Sequence, residues 1–183
     1  MSRVLKALGV VLIILGVGCV ALFFIGPPTT GSIPTTSTQS SPTGALMYLT
    51  VPKIGLEDTE VYDSLSEEKL KDGVIHIPGT GFPWQPGTNT YIAGHRLGYF
   101  NTGSWLVFYR LNELEPGDKI VLRDTPGNEY TYQVTESFVV SPGDVGVLNP
   151  PAGGGGASSI ISLQTCTLPN FEDRLIVRGV RVS

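Results

Sequence analysis

Cysteine is nearly absent from this 183-residue chain, which has only Cys19 and Cys166. Cys19 sits in an apolar N-terminal run, so the rest of the chain holds one thiol and has no partner for an internal disulfide. Histidine is equally scarce: there are two, His76 and His95. No C-x-x-C or H-x-x-x-H spacing occurs, so the ligand set for zinc is missing. Acidic residues are absent from the first fifty positions, and all sixteen lie beyond them together with ten of the twelve Lys/Arg. The main body is therefore mildly acidic and has no basic patch, which argues against nucleic acid as a partner. After the N-terminal run there is no second long hydrophobic stretch.

That first run is Ala7 to Ile25, "ALGVVLIILGVGCVALFFI", nineteen residues without a charge. As a helix it would extend about 28 Å at roughly 1.5 Å per residue, close to the thickness of a bilayer core. Arg3 and Lys6 precede it, so residues 1–6 are expected in the cytoplasm and the remainder outside. No A-x-A cleavage site follows, and the reading is an uncleaved anchor over 7–25 rather than a removed signal peptide. Residues 26–46, beginning "GPPTTGSIPTTSTQSSPTGA", are rich in Pro, Thr, Ser and Gly and carry no charge. Such a composition cannot bury enough apolar surface to fold, and it predicts a flexible tether. Residues 47–183 are then one domain, large enough to bury a core without a covalent staple.

The domain reads as β. In "EYTYQVTESFVV", Tyr130, Tyr132, Val134, Phe138 and Val140 alternate with Thr131, Gln133, Thr135 and Ser137, which predicts one strand with one buried face. Turn signals "EPGD", "TPGN" and "SPGD" punctuate the chain. Further strands are expected in "MYLTVPKI", "TNTYIAG", "DKIVL", "SIISLQTC" and "RLIVRGVRV". Short helical turns are expected only in "SEEKLKDGV" and "GSWLVFYRLNEL". Many short strands between Gly/Pro turns predict a closed barrel or a sandwich. "NPPAGGGGASS", residues 149–159, reads as a long mobile loop before the cysteine strand.

The chemistry concentrates in "SLQTCTLPNFEDRL". Ile161 and Leu163 face one way and Ser162, Gln164 and Cys166 the other. If the flanking strands pair as a hairpin, Cys166 and Arg174 close it on one face, where cross-strand Cβ atoms lie about 5 Å apart. A guanidinium there favours a thiolate and can donate to an oxyanion. A nucleophilic thiol also needs a proton partner. The alternation of Tyr91, Ala93 and His95 puts His95 at a strand end, and His76 is the other candidate. The residues alone leave Cys166 open between a nucleophile and a small buried core residue. Glu113, Glu115, Asp118 and Asp144 near the turns read as solvated loop charges, with weak calcium binding as the alternative.

The motifs resemble those of the sortases, the membrane-anchored cysteine transpeptidases of Gram-positive bacteria. "SLQTC" is similar to the family's T-L-x-T-C, with Ser162 in place of its first threonine. "RLIV", Arg174 to Val177, is similar to its R-L-x-V, and "AGHR", Ala93 to Arg96, to its G-H-R-like motif. The resemblance covers about residues 47–183. It implies an all-β fold, an eight-stranded barrel with short helical segments, preceded by the transmembrane helix. It implies Cys166, His95 and Arg174 as catalytic residues, with Thr165 contributing a hydroxyl or backbone contact near the oxyanion, and His76 outside the catalytic set. No cofactor is expected. The implied partners are secreted proteins with an L-P-x-T-G or L-A-x-T-G sorting signal, a peptidoglycan precursor that supplies the amine, and the cytoplasmic membrane. With no second hydrophobic run and no D-P-W or D-P-F motif in the tether, the chain looks class E-like or class D-like rather than pilus-polymerising.

Overall fold

Alternating side chains form eight strands that curl into one closed barrel. The computed structural model describes residues 45–150 and 158–183. The expected anchor, most of the tether and the glycine run of the 149–159 loop lie outside the described residues.

The strands are β1 (Met47–Val51), β2 (Leu56–Asp63), β3 (Val74–His76), β4 (Asn89–Ala93), β5 (Lys119–Asp124), β6 (Glu129–Val140), β7 (Ile160–Cys166) and β8 (Arg174–Arg181). One short helix, α1 (Glu67–Asp72), joins β2 to β3. The order around the barrel is β1-β2-β3-β4-β7-β8-β6-β5. β2 runs parallel to β3 and β4 parallel to β7, and the remaining neighbours are antiparallel. Closure leaves no free sheet edge, which removes the template an edge strand offers for aggregation. This is the eight-stranded all-β barrel that the resemblance implied.

Inward-facing residues of all eight strands meet in the main core. Met47, Leu49, Ile92, Leu122, Tyr132, Ile161, Leu163 and Val177 are among its members. In β1 the pattern is strict: Met47, Leu49 and Val51 are buried while Tyr48 and Thr50 are half-buried. Two strands escaped the sequence reading. In β2 the outward positions carry Glu57, Asp58 and Glu60, residues that disfavour strands on their own. β3 has three residues and no room to show a period.

β6 corrects the expectation that one face runs its whole length. Tyr130, Tyr132 and Val134 enter the core, but the register against β8 shifts between Val134 and Glu136. Thr135 is the extra residue of a bulge, and one inserted residue sends every later side chain to the opposite face. Phe138 therefore pairs with Ile176, and Val140 with Arg174, on the outer face of the barrel.

Candidate active site

β7 and β8 form the hairpin expected from the alternation, and its last register pair is Cys166 opposite Arg174. Cys166 is half-buried and is not in a disulfide. Arg174 Nη1 donates to the carbonyls of Phe171 and Asp173, both at 3.2 Å, which pins the guanidinium against the connecting loop. That loop is tied shut by Thr167 and Asp173, whose main chains bond at 3.0 Å. Among the described residues no carboxylate forms an ion pair with Arg174.

The chain after β4 carries His95. β4 runs parallel to β7 with Tyr91 beside Ser162 and Ala93 beside Gln164, and Gly94 N continues the pairing to Gln164 O at 3.0 Å. Two residues beyond the Ala93–Gln164 pair stand His95 and Cys166. The neighbouring Gly94 is required by packing, because a Cβ there would stand 2.6 Å from Phe108 Cδ2 and 2.9 Å from Val74 Cγ1. His95 is anchored through its carbonyl, which accepts from Phe108 N at 3.2 Å. Its side chain is one-quarter exposed, with Nε2 3.5 Å from Glu67 Oε1. At that separation Nε2 makes no hydrogen bond. Arg96, the last residue of "AGHR", is buried and donates to Asn112. Burial lowers its pKa from the ordinary arginine value.

His76 stands elsewhere. It is fully buried and both ring nitrogens are taken: Nδ1 lies 2.8 Å from Asp63 Oδ1, and Nε2 lies 3.0 Å from Thr80 Oγ1 and 3.1 Å from Gly81 O. The ring also stacks on Phe82 at 4.5 Å. A histidine so enclosed ties β3 to β2 and to the following loop, and has no nitrogen to offer a substrate. Thr165 lies next to the cysteine in sequence, but alternation turns its side chain to the opposite face, where it is buried and its hydroxyl has no partner. Its backbone is the part that remains beside Cys166.

A groove lies on the outer face, and Val140 on its wall is the register partner of Arg174. Phe138, Val140 and Arg178 line it from the sheet, and Asp144, Val147 and Pro150 from the β6–β7 connection. Asn89 Nδ2 holds that connection down by donating to the carbonyls of Val147 and Leu148, both at 3.1 Å. On the same face Tyr91 OH donates to Gln164 Oε1 at 2.8 Å, and burial raises the tyrosine's pKa well above its ordinary value. With its oxygen so engaged, the Gln164 amide nitrogen is left as the donor two residues from Cys166. Alternation marked Gln164 as facing the cysteine's side, and nothing in the sequence marked Glu67, Asn89 or Arg178. Phe138 and Val140 were read onto the wrong face because a bulge has no period to detect.

No cation site assembles among the described residues: nowhere do three His, Cys, Asp or Glu side chains converge. Of the carboxylates weighed for calcium, Glu113 takes Arg110, Glu115 and Asp118 share Lys53, and Asp144 caps Gly146 N.

Comparison with known proteins points one way. Residues 49–182 match the family model described as Sortase domain. The chain is 34% identical over 146 residues to Sortase SrtE1 of Streptomyces coelicolor, covering 73% of this chain and 39% of that protein. It is 33% identical over 94 residues to Sortase A of Streptococcus agalactiae, covering 51% of this chain and 36% of the other. The chain thus spans about two-fifths of the length of these curated relatives. Among solved structures, sortase C1 from Streptococcus agalactiae superposes with a TM-score of 0.67 at 30% identity, covering 77% of this chain and 69% of that one. Sortase A from Corynebacterium diphtheriae gives 0.66 at 28%, covering 76% and 61%.

Proposed function

The chain belongs to the sortase family, and from that premise we propose that it is a cysteine transpeptidase that cuts a C-terminal sorting signal of L-P-x-T-G or L-A-x-T-G type between Thr and Gly and passes the protein to an amine. The observation that carries this reading is the Cys166–Arg174 register pair, beside which β4 pairs with β7 up to Ala93, two residues before His95.

The chemistry follows from the arrangement. The Cys166 thiolate attacks the threonine carbonyl, and the negative charge moves to its oxygen, where the Arg174 guanidinium donates. As the C–N bond breaks, the His95 imidazolium gives its proton to the departing glycine amine. The product is a thioester on Cys166. An incoming amine, supplied by a peptidoglycan precursor, attacks that thioester. His95 takes the amine's proton, and the Cys166 thiolate leaves. The groove lined by Phe138, Val140 and Arg178 receives the residues before the scissile bond. The 34% identity to Sortase SrtE1 supports class E over class D. The enzyme works on the outer side of the cytoplasmic membrane, held by the 7–25 segment; within the described residues no helix is long and apolar enough to cross a membrane.

The test is a model L-P-x-T-G and L-A-x-T-G peptide series incubated with the full chain, with and without an added glycine-based amine. Transfer product that appears only with the amine, and that is lost in Cys166→Ala, supports the transpeptidase. Hydrolysis alone, whatever the amine, turns the assignment to a peptidase. A thiol that resists iodoacetamide in the folded chain, with no product formed, leaves a tethered binding domain.

A further inference from the structure

His95 has one buried ring nitrogen with no hydrogen-bond partner, and a carboxylate waits beside it. Nε2 is closed off from solvent, and Glu67 Oε1 lies 3.5 Å away. The same oxygen accepts from the Tyr99 hydroxyl at 3.0 Å, which fixes where the carboxylate stands. The Tyr99 ring meets the His95 ring edge-on, with centroids 5.5 Å apart and planes at 84°. Lys71 Nζ lies over the other side of the tyrosine, 5.5 Å from its centroid.

These groups belong to one unit. α1 carries Glu67 and Lys71, and the loop after β4 carries His95 and Tyr99. Ser104 N donates to Lys71 O at 3.1 Å. Gly103 presses on the end of the helix so closely that a Cβ would fall 1.7 Å from Asp72 O. No residue of α1 is fully buried, and Leu70 packs against the cluster of Tyr62, Ile75 and Ala93. That packing and the loop together hold Glu67 beside the histidine.

We propose that Glu67 is a positioning residue for His95: it accepts the Nε2 proton and so leaves Nδ1 as the nitrogen that trades protons with the leaving and incoming amines. This rests on His95 being the proton partner of Cys166. An imidazole has two tautomers, and the partner of one nitrogen decides which nitrogen works. Catalytic contacts are commonly long in the free enzyme and tighten in the complex, which suits a 3.5 Å separation with no competing acceptor. The ion pair is exposed on the Glu67 side, so its contribution to stability is small, and its effect belongs in turnover.

The experiment compares the full chain with Glu67→Ala, Glu67→Gln and the same-turn control Glu68→Ala. The readouts are kcat and KM on the peptide–amine pair and side-chain 15N shifts of the two histidines, assigned with His95→Ala. Glu67→Ala should lower kcat about 10- to 100-fold with KM within about twofold, less than the roughly 10²–10⁴-fold that a general acid–base group contributes. Glu67→Gln should restore much of that loss, because its amide oxygen still accepts from Nε2–H. The 15N spectrum should show His95 protonated at Nε2 in the parent and a tautomer mixture in Glu67→Ala. Unchanged shifts together with unchanged kcat in Glu67→Ala overturn the inference. Parental transfer activity decides separately whether the transpeptidase reading stands, and the 15N arm tests Glu67 even in a chain that transfers nothing.

Discussion

Cys166 and Arg174 are the terminal register pair of the β7–β8 hairpin, so their side chains leave the same face of the sheet. The planar fork of Arg174 already spends Nη1 on two loop carbonyls, and its other donors are what an oxyanion would meet. Arg174→Lys keeps the charge and loses the fork. Its kcat/KM on a sorting-signal peptide should fall about 10²–10³-fold, the scale of losing an oxyanion donor. Circular dichroism should show an unchanged fold. Activity within a few-fold of the parent would remove Arg174 from the reaction.

The two histidines should separate cleanly. His95→Ala should lose turnover while keeping its melting temperature, since Nε2 makes no hydrogen bond. His76→Ala empties a fully buried site, removes the stack on Phe82 and takes away the partner of Asp63, Thr80 and Gly81, and should lower the melting temperature. At low temperature, where it stays folded, its activity per folded molecule should remain near that of the parent. Thermal melts and peptide turnover on both variants check this, and the reverse pattern would exchange the roles.

Thr165→Val distinguishes the two contributions expected of that residue. The hydroxyl is buried without a partner on the face away from Cys166. Replacing it with a methyl of the same shape removes an unsatisfied group, so stability should hold or rise. Activity should be retained, because the backbone beside Cys166 is unchanged. A large fall in kcat would bring the hydroxyl back into the site.

Asp124 gives a prediction in pH. Burial pushes its carboxyl up, but hydrogen bonds from the side chain and backbone of Asn128, from Tyr130 OH and from Gly127 N outweigh this and hold it below the ordinary 3.8. A group depressed in the folded state contributes stability above its unfolded value and loses it as pH falls through the folded one. The melting temperature of the parent should therefore drop as pH is lowered below about 4, and Asp124→Asn should show a shallower drop over the same window. Parallel melting curves for the two would exclude Asp124 as a contributor.

The sequence alone determined what local pattern can express. Period-two alternation found six of the eight strands and placed Gln164 and Cys166 on one face. The spacing of Cys166 and Arg174 across a short loop specified a hairpin whose closing pair is fixed by counting. The motif order "AGHR", "SLQTC", "RLIV" named the family. Tertiary structure decided the rest, because those features depend on contacts between distant segments. The parallel pairing of β4 with β7 sets the segment that leads into His95 beside the strand that ends at Cys166, across about seventy residues of chain, and no local signal encodes a register between strands so far apart. The bulge at Thr135 turns Phe138 and Val140 outward to line the groove, which needs the partner strand to reveal it. Contacts with Asp63, Thr80 and Gly81 occupied both ring nitrogens of His76, and docking of α1 against the loop after β4 set Glu67 beside His95. Alternation tells which way a side chain points; only the closed barrel tells what it meets there.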